Sequence, residues 1–342
     1  MNIFRILLFL NLIMMMNSCG SSKKDSAVKL SDHFDGKVFS NPWGNNNQKN
    51  LFDVFKWKIS SHRSDWPNEE IINTASPRLV ESNKAASVHV TFIGHSTFYI
   101  QNEKYSIITD PQFSDRASPL SFIGPKRVRK PGVAIDKLPK IDFVIISHNH
   151  YDHLDLPSLK KLQELYHPKF IVPLGNAPLL SDAGLENIHE LDWWESFEGF
   201  TLVPVQHWSQ RGLFDRNKSL WGGYVFSISE KKIFFAGDTG YGPHFKMIRD
   251  RLGATDLSLL PIGAYEPQWF MKDQHLNPKE ALQAHLDLES KRSIAIHFET
   301  FQMADESFLD PRNSLKEEIQ KKSLPESTFW IPQVGETLVI EK

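Results

Sequence analysis

The sequence predicts an α+β chain in which two β-sheets pack face to face with helices outside. Short apolar and β-branched runs, read as strands, occur before residue 147 and again after Phe200. Helical patterns at Pro157–Tyr166, Pro278–Leu288 and Ser314–Gln320 alternate with them. A composition of 40% hydrophobic and 23% charged residues is that of a globular chain, and no repeat or low-complexity tract interrupts it.

The chain opens on Arg5, the mostly apolar run Ile6–Met16 and then Asn17-Ser18-Cys19-Gly20. These are the three parts of a secretory signal, too short to span a bilayer as a mature helix. Cys19, flanked by small Ser18 and Gly20, resembles the lipidated cysteine of a bacterial lipobox. Residues 1–18 are therefore expected to be a lipoprotein signal peptide. Cys19 becomes an acylated N-terminus, and the protein is held at the bacterial cell envelope facing the periplasm or exterior, with the membrane a partner through its lipid anchor. Because Cys19 is the only cysteine, no intramolecular disulfide forms. Residues 19–33 read as a polar tether. Residues 34–84 read as an N-terminal arm with a Gly/Asn-rich loop (Gly44–Gln48) and a helix-like stretch (Leu51, Val54, Phe55, Trp57). Its aromatics need cover, either on the main domain, residues 85–342, or in a membrane.

The stretch Ser147–Asp155, SHNHYDHLD, puts three histidines and two aspartates into nine residues directly after the buried-strand pattern Phe143–Ile146. In extended chain, residues two apart share a face, so His148 and His150 can point at one ion. Asp152 and His153 fall where the chain turns. Asp155 as N-cap, Pro157 in the first turn, and Leu156, Leu159, Leu162 and Leu165 on one stripe mark the start of a helix.

Other strand patterns also end on a candidate ligand. Tyr105–Thr109 ends at Asp110, Phe200–Gln206 at His207, Ile233–Gly237 at Asp238 and Ile294–Ile296 at His297. Strands finishing on one rim would bring these side chains together. Imidazole and carboxylate without thiolate suit zinc, with iron or manganese as alternatives. Two Zn2+ ions are expected: His148, His150 and His207 make one three-ligand set, Asp152, His153 and His297 a second, and Asp238 is available as a bridge.

The HNHYDH motif, a distant His, a Gly-Asp dipeptide and a late Ile-His resemble the metallo-β-lactamase superfamily. Within it the chain resembles the N-acylphosphatidylethanolamine-hydrolysing phospholipase D family. The resemblance lies in FIGHSTFYI at Phe92–Ile100, TDPQFSDRASPLSFIGPKR at Thr109–Arg127, SHNHYDHLD, PVQHWSQR at Pro204–Arg211, FAGDTGY at Phe235–Tyr241 and GAYEPQWFMKDQHLNPKEA at Gly263–Ala281. It implies a four-layer αββα sandwich and a structural role for Asp110. It also implies the same two ligand sets bridged by Asp238, and a phospholipid substrate. One departure is Glu299 in IHFETF, where the family leads us to expect a small residue. A carboxylate at the pocket mouth would read the substrate headgroup and attract a cationic amine.

The resemblance implies two metals that would make a water more acidic and neutralise charge on a bound phosphodiester. Phospholipase D regiochemistry would then release the headgroup alcohol and leave phosphatidate. Asp152 and Asp238 are catalytic candidates beside their ligand roles. His275 is a candidate hydrogen-bond donor to a phosphoryl oxygen or leaving group, and Tyr151, Tyr265 and Glu266 are candidates for lining the cleft. His95 is assigned a structural place near the rim, and Trp193, Trp194 and Trp208 core or pocket wall. A formal net charge of −2 argues against nucleic-acid binding. The loop bearing Lys126, Arg127, Arg129 and Lys130 is a local exception that could meet a phosphate headgroup. Two alternatives stand beside the phosphodiesterase: a hydrolase of the same fold acting on a small soluble ester, lactone or cyclic phosphodiester, and a non-catalytic lipoprotein stabilised by metal. The sequence leaves the oligomeric state open.

Overall fold

A computed structural model describes residues 31–44, 49, 51–61, 63–67, 70–79 and 87–341. The expected signal peptide and Cys19 lie outside the described residues. The first sheet contains β1 (Val88–Gly94), β2 (Thr97–Gln101), β3 (Ser106–Thr109), β4 (Phe143–Ile145), β5 (Lys169–Pro173) and β6 (Ile188–Leu191). The second contains β7 (Ser196–Phe197), β8 (Phe200–Val203), β9 (Gly223–Ile228), β10 (Lys231–Phe235), β11 (Leu257–Pro261), β12 (Arg292–Ile296) and β13 (Phe329–Trp330). The last strand, β14 (Thr337–Ile340), returns to the first sheet beside β1. The orders are β14-β1-β2-β3-β4-β5-β6 and β13-β12-β11-β10-β9-β8-β7.

Side-chain alternation places the layers. In β4 and β5, Val144, Phe170 and Val172 face outward and pack with Leu159 and Leu162 of a helix. Their neighbours Ile145 and Ile171 face inward and join Phe92, Phe98, Leu202 and Tyr224 between the sheets. The Tyr224 hydroxyl, buried on the second sheet, donates to the Ile146 and Ile171 carbonyls at 3.0 Å each, joining the two sheets at mid-core. Seven helices are described: α1 (Leu51–Ser60), α2 (Leu156–Tyr166), α3 (Ala177–Asp182), α4 (His244–Leu252), α5 (Gln268–Met271), α6 (Pro278–Asp287) and α7 (Asp310–Lys321). Helices α2 and α3 cover the first sheet. Phe245 and Ile248 of α4, Leu282 of α6, and Leu315 and Ile319 of α7 pack on the second. The result is a four-layer αββα sandwich.

Two details differ from the helix start read in the sequence. Leu165 is 38% exposed, while Leu156, Leu159 and Leu162 pack in the layer as read and the partly buried Tyr166 takes the place of Leu165. Asp155 sits at the N-cap but makes no cap bond. Its carboxylate accepts from the Ser158 hydroxyl and from Ser114 (hydroxyl 2.8 Å, N–H 3.2 Å), tying the preceding loop to the helix.

The arm lies on the domain at several points. The packed segment begins ahead of residue 34, for His33, read in the sequence as the end of the tether, is clamped between Asp192 and Asp32, at 2.7 Å each, and stacks on Trp193. Trp43 stacks on Trp193, and Trp57 stacks on Phe270 while its indole N–H donates to Asp305 at 3.0 Å. The opposite face of α1 leaves Phe55 and Ile59 exposed, so the arm both packs and exposes apolar side chains. Among the described residues no helix is long and apolar enough to cross a membrane.

Candidate metal centre

Topology explains why the ligands meet. Strands β3 and β4 are parallel, as are β10, β11 and β12. Strand β1 is antiparallel to β2, and β2 to β3; β8 is likewise antiparallel to β9, and β9 to β10. Hence β1, β3, β4, β8, β10 and β12 all deliver their C-terminal ends to one rim. The residues that follow them include His95, Asp110, His148, His207, Asp238 and His297. Three of these turn sharply at the strand end, with φ of 56° at His95, 34° at Asp110 and 60° at His297, a region L-residues seldom occupy. Glycines allow the close approach. A Cβ at Gly237 would stand 2.3 Å from Ser147, and one at Gly263 would stand 2.1 Å from the His297 carbonyl oxygen.

Two clusters of ligand atoms result. His148 Nε2 and His207 Nε2 lie 2.8 and 3.3 Å from His150 Nδ1. Around Asp152 Oδ2 stand His95 Nε2 at 3.0 Å, His153 Nε2 at 3.2 Å and His297 Nε2 at 3.3 Å. Asp238 Oδ2 lies between the clusters, 3.2 Å from His153 and His297, 3.8 Å from His207 and 3.9 Å from His148. His275 Nδ1 is 3.8 Å from the same oxygen.

A second ring of groups sets which nitrogen faces inward. Buried Asp110 accepts from the Ser147 N–H (2.7 Å), the Ser147 hydroxyl (2.6 Å) and His153 Nδ1 (2.6 Å), which leaves His153 Nε2 turned to the cluster. With its proton committed to Asp110, Ser147 Oγ accepts from His148 Nδ1 at 2.9 Å. His207 Nδ1 donates to the Gln274 carbonyl at 3.0 Å. His148 and His207 thus present bare Nε2 lone pairs to one point.

These residues fit bound cations. His153 Nε2 and Asp238 Oδ1 are buried without a hydrogen-bond partner, a costly state that a coordinated cation relieves. Charge tells the same story. Burial alone would raise Asp152 and Asp238, but His153 and its neighbours outweigh it and hold both carboxyls well below their ordinary range. Burial likewise pulls on His153 and His297, yet the carboxylates outweigh it, holding His153 well above its ordinary value and lifting His297 to about 9. Two buried carboxylates thus demand positive charge, and an oxygen- and nitrogen-only donor set suits zinc, iron or manganese.

The structure converges His148, His150, Asp152, His153, His207, Asp238 and His297, and brings His275 to their edge. His95, read in the sequence as only structural, is part of the Asp152 cluster. The missed signal is that β1 ends in Gly94-His95, the strand-end pattern that marked the other ligands. Tyr151 lines a groove beside the cluster, its hydroxyl donating to the Arg211 carbonyl at 3.1 Å and its ring covered by the Arg211 guanidinium. Trp208 packs edge-on against His150 at 4.4 Å.

Three placements correct the sequence reading. Glu299 is only 4% exposed and is not at a pocket mouth. Its carboxylate accepts from Arg312 at 2.6 Å and Arg129 at 3.2 Å, because the chain at Glu299 turns left-handed, φ 51°. Tyr265 is buried and turned toward Glu306 and Ser314; burial, and after it the Glu306 charge, push its hydroxyl pKa up against the opposing bond to Ser314. The Glu266 carboxylate accepts from the Gln268 N–H at 3.1 Å. Neither is among the converging groups. Of the basic loop, Arg127 is spent on the Ser114 and Gln112 carbonyls and Arg129 on Glu299.

Comparison with known proteins agrees with this geometry. Residues 105–298 match the family model described as "Beta-lactamase superfamily domain". The chain is 36% identical over 329 residues to N-acyl-phosphatidylethanolamine-hydrolyzing phospholipase D 1 of Caenorhabditis elegans, covering 88% of this chain and 92% of that one. It is also 36% identical over 274 residues to the mitochondrial N-acyl-phosphatidylethanolamine-hydrolyzing phospholipase D of Saccharomyces cerevisiae, covering 76% and 58% respectively. Among solved structures, the metallo hydrolase Igni18 from Ignicoccus hospitalis aligns over 75% of this chain and 99% of its own, with a TM-score of 0.57 at 21% identity. That likeness shows the fold. On the αββα fold, the matched domain and the identity across nearly its whole length, the chain is a hydrolase of the β-lactamase superfamily and belongs, within it, to the family of N-acylphosphatidylethanolamine-hydrolysing phospholipases D.

Proposed function

We infer that the protein is a metal-dependent phosphodiesterase that hydrolyses N-acylphosphatidylethanolamine or a related phospholipid to phosphatidate and the headgroup alcohol. One observation carries the chemistry. Asp238 Oδ2 stands between two ligand clusters, 3.2 Å from His153 and His297 and within 3.9 Å of His148 and His207. The substrate class is supported by the extent of identity to the nematode phospholipase D.

His148, His150 and His207 would hold one ion and Asp152, His153 and His297 the other, with Asp238 shared. Bound there, divalent ions supply Lewis acidity toward a phosphoryl oxygen and a more acidic water. The chain's own groups do the rest. Asp152, kept ionised, accepts a hydrogen bond from His95 and is able to accept one from an incoming water. Burial holds His275 down at about 4, so at neutral pH it is an uncharged imidazole whose Nδ1 has no partner. It is suited to position a phosphoryl or leaving oxygen by hydrogen bonding rather than to supply a proton from an imidazolium. In the overall reaction water's oxygen joins phosphorus as the P–O bond to the headgroup breaks, and a proton ends on the leaving alkoxide.

A panel of phospholipids, cyclic phosphodiesters, lactones and β-lactams, assayed with zinc-loaded protein, tests the proposal. Turnover confined to phospholipids supports it. Turnover only of lactones or β-lactams refutes the substrate class, and none at all refutes catalysis.

A further inference from the structure

We propose that the cleft between the N-terminal arm and the 114–128 loop is a docking surface for a lipid bilayer containing anionic phospholipid. The cleft encloses about 810 Å3, with Lys58 and Arg63 of the arm on one wall and Arg116 and Lys126 of the loop on the other. Asp65 and Glu70 also line it, but Glu70 is offset by Lys130 at 3.4 Å. Arg63 leans toward Asp305 at 3.9 Å and Arg116 donates to the Gly124 carbonyl at 2.6 Å. Lys58 and Lys126 have no ion-pair partner among the described residues, and their charge is available to an anion.

Large exposed apolar side chains neighbour the lining residues in the sequence on both walls. Phe55 and Ile59, on either side of Lys58 in the sequence, are 61% and 69% exposed. Phe122 and Ile123, just before Gly124 of the opposite wall, are 75% and 58% exposed. Side chains of this size gain from leaving water, and four of them exposed next to the residues of one cleft mark a surface that buries them against something else. Cations interleaved with protruding Phe and Ile match the headgroup–acyl boundary of a bilayer, where phosphates meet Lys and Arg while apolar side chains insert. Helix α1 has this pattern within itself, with Lys56 and Lys58 between Phe55 and Ile59.

The position of the face gives docking a consequence. Arg116 is shared with a second groove, of about 700 Å3, that runs along the other side of the same loop to Tyr151, between His150 and Asp152. A bilayer on the basic cleft would lie against the loop that also walls the approach to the ligand cluster. This surface is separate from any acyl anchor, and it is tested by binding alone, whatever substrate the centre takes.

The test uses the mature chain, residues 19–342, carrying Cys19→Ala, so that neither an acyl chain nor the apolar leader run can hold it to a vesicle and no native thiol remains. Single cysteines at Phe122→Cys, Ile59→Cys or Leu165→Cys are labelled with an environment-sensitive dye. Leu165 lies near the end of α2, which starts at the metal rim and runs to the opposite edge. With phosphatidylcholine vesicles containing phosphatidylglycerol, dyes at 122 and 59 are expected to shift to the blue, and the dye at 165 to stay unchanged. Lys58→Glu together with Lys126→Glu is expected to weaken vesicle partitioning about tenfold or more, with unchanged thermal unfolding. The proposal is overturned by an absent shift at 59 and 122. It is equally overturned by a comparable shift at 165, by equal shifts on pure phosphatidylcholine, or by partitioning indifferent to the double charge reversal.

Discussion

Glu299 lies two residues beyond His297, and its left-handed backbone, φ 51°, sends the carboxylate to Arg312 and Arg129. In the sequence it had only its neighbours to declare it, and proximity along the chain says nothing about which way a turn aims a side chain. Tyr265 and Glu266 failed for the same reason. The converging histidines and aspartates were legible because each either ends a strand pattern or falls in the HNHYDH run that follows one, and strands of one sandwich share a rim. Removing the Glu299 charge leaves two arginines largely buried and unpaired. Glu299→Gln should therefore cost about 3 kcal/mol of stability, measured by denaturant unfolding, near the low end for a broken buried pair. Headgroup selectivity should not change. Asp110 touches no converging atom directly, but it holds the His153 tautomer. Asp110→Asn should weaken metal binding by roughly 10–100-fold, read by competition with a chelating dye, with the sheets intact by circular dichroism. Asp238→Asn, removing the charge shared by both clusters, should drop metal content below two per chain and abolish turnover.

At the scale of elements, the short α3 and α5, and α4, were not read in the sequence, whereas α1, α2, α6 and α7 were legible from period and caps. The start of α6 shows why: Asn277 accepts from the Glu280 N–H at 2.9 Å while Glu280 accepts from the Asn277 N–H at 3.1 Å, a reciprocal cap visible in the sequence. The clasp at the start of the arm was not legible, since His33 and Asp192 lie 159 residues apart. Burial pulls the His33 pKa down, but the bonds to Asp192 and Asp32 outweigh it and raise it. A raised folded-state pKa means the protonated form is bound more tightly in the folded protein. Its stabilisation is complete below the unfolded pKa of about 6.5 and disappears as pH climbs through the raised value. The stability lost in His33→Gln should then be larger at pH 5.5 than at pH 9, by urea unfolding. A difference that grows toward pH 9 would contradict the clasp.

At the scale of the whole molecule, strands before and after the HNHYDH motif implied two sheets, and the resemblance supplied the layer order. The arm was harder to read because its Trp43, Trp57 and Trp66 find partners only once the domain is folded. Cys19, proposed as an acylated anchor, predicts that full-length protein fractionates with membranes and that Cys19→Ala remains unprocessed. Mature protein starting elsewhere without acyl chains would count against it. The central claim is that this centre hydrolyses a phospholipid at phosphorus. It is tested most directly by incubating zinc-loaded protein with N-acylphosphatidylethanolamine in water enriched in oxygen-18 and weighing both products by mass spectrometry. The account predicts one heavy oxygen in phosphatidate and none in the released N-acylethanolamine, with turnover lost on chelation and restored by zinc. Label in the alcohol, or products that form unchanged in chelator, would contradict it.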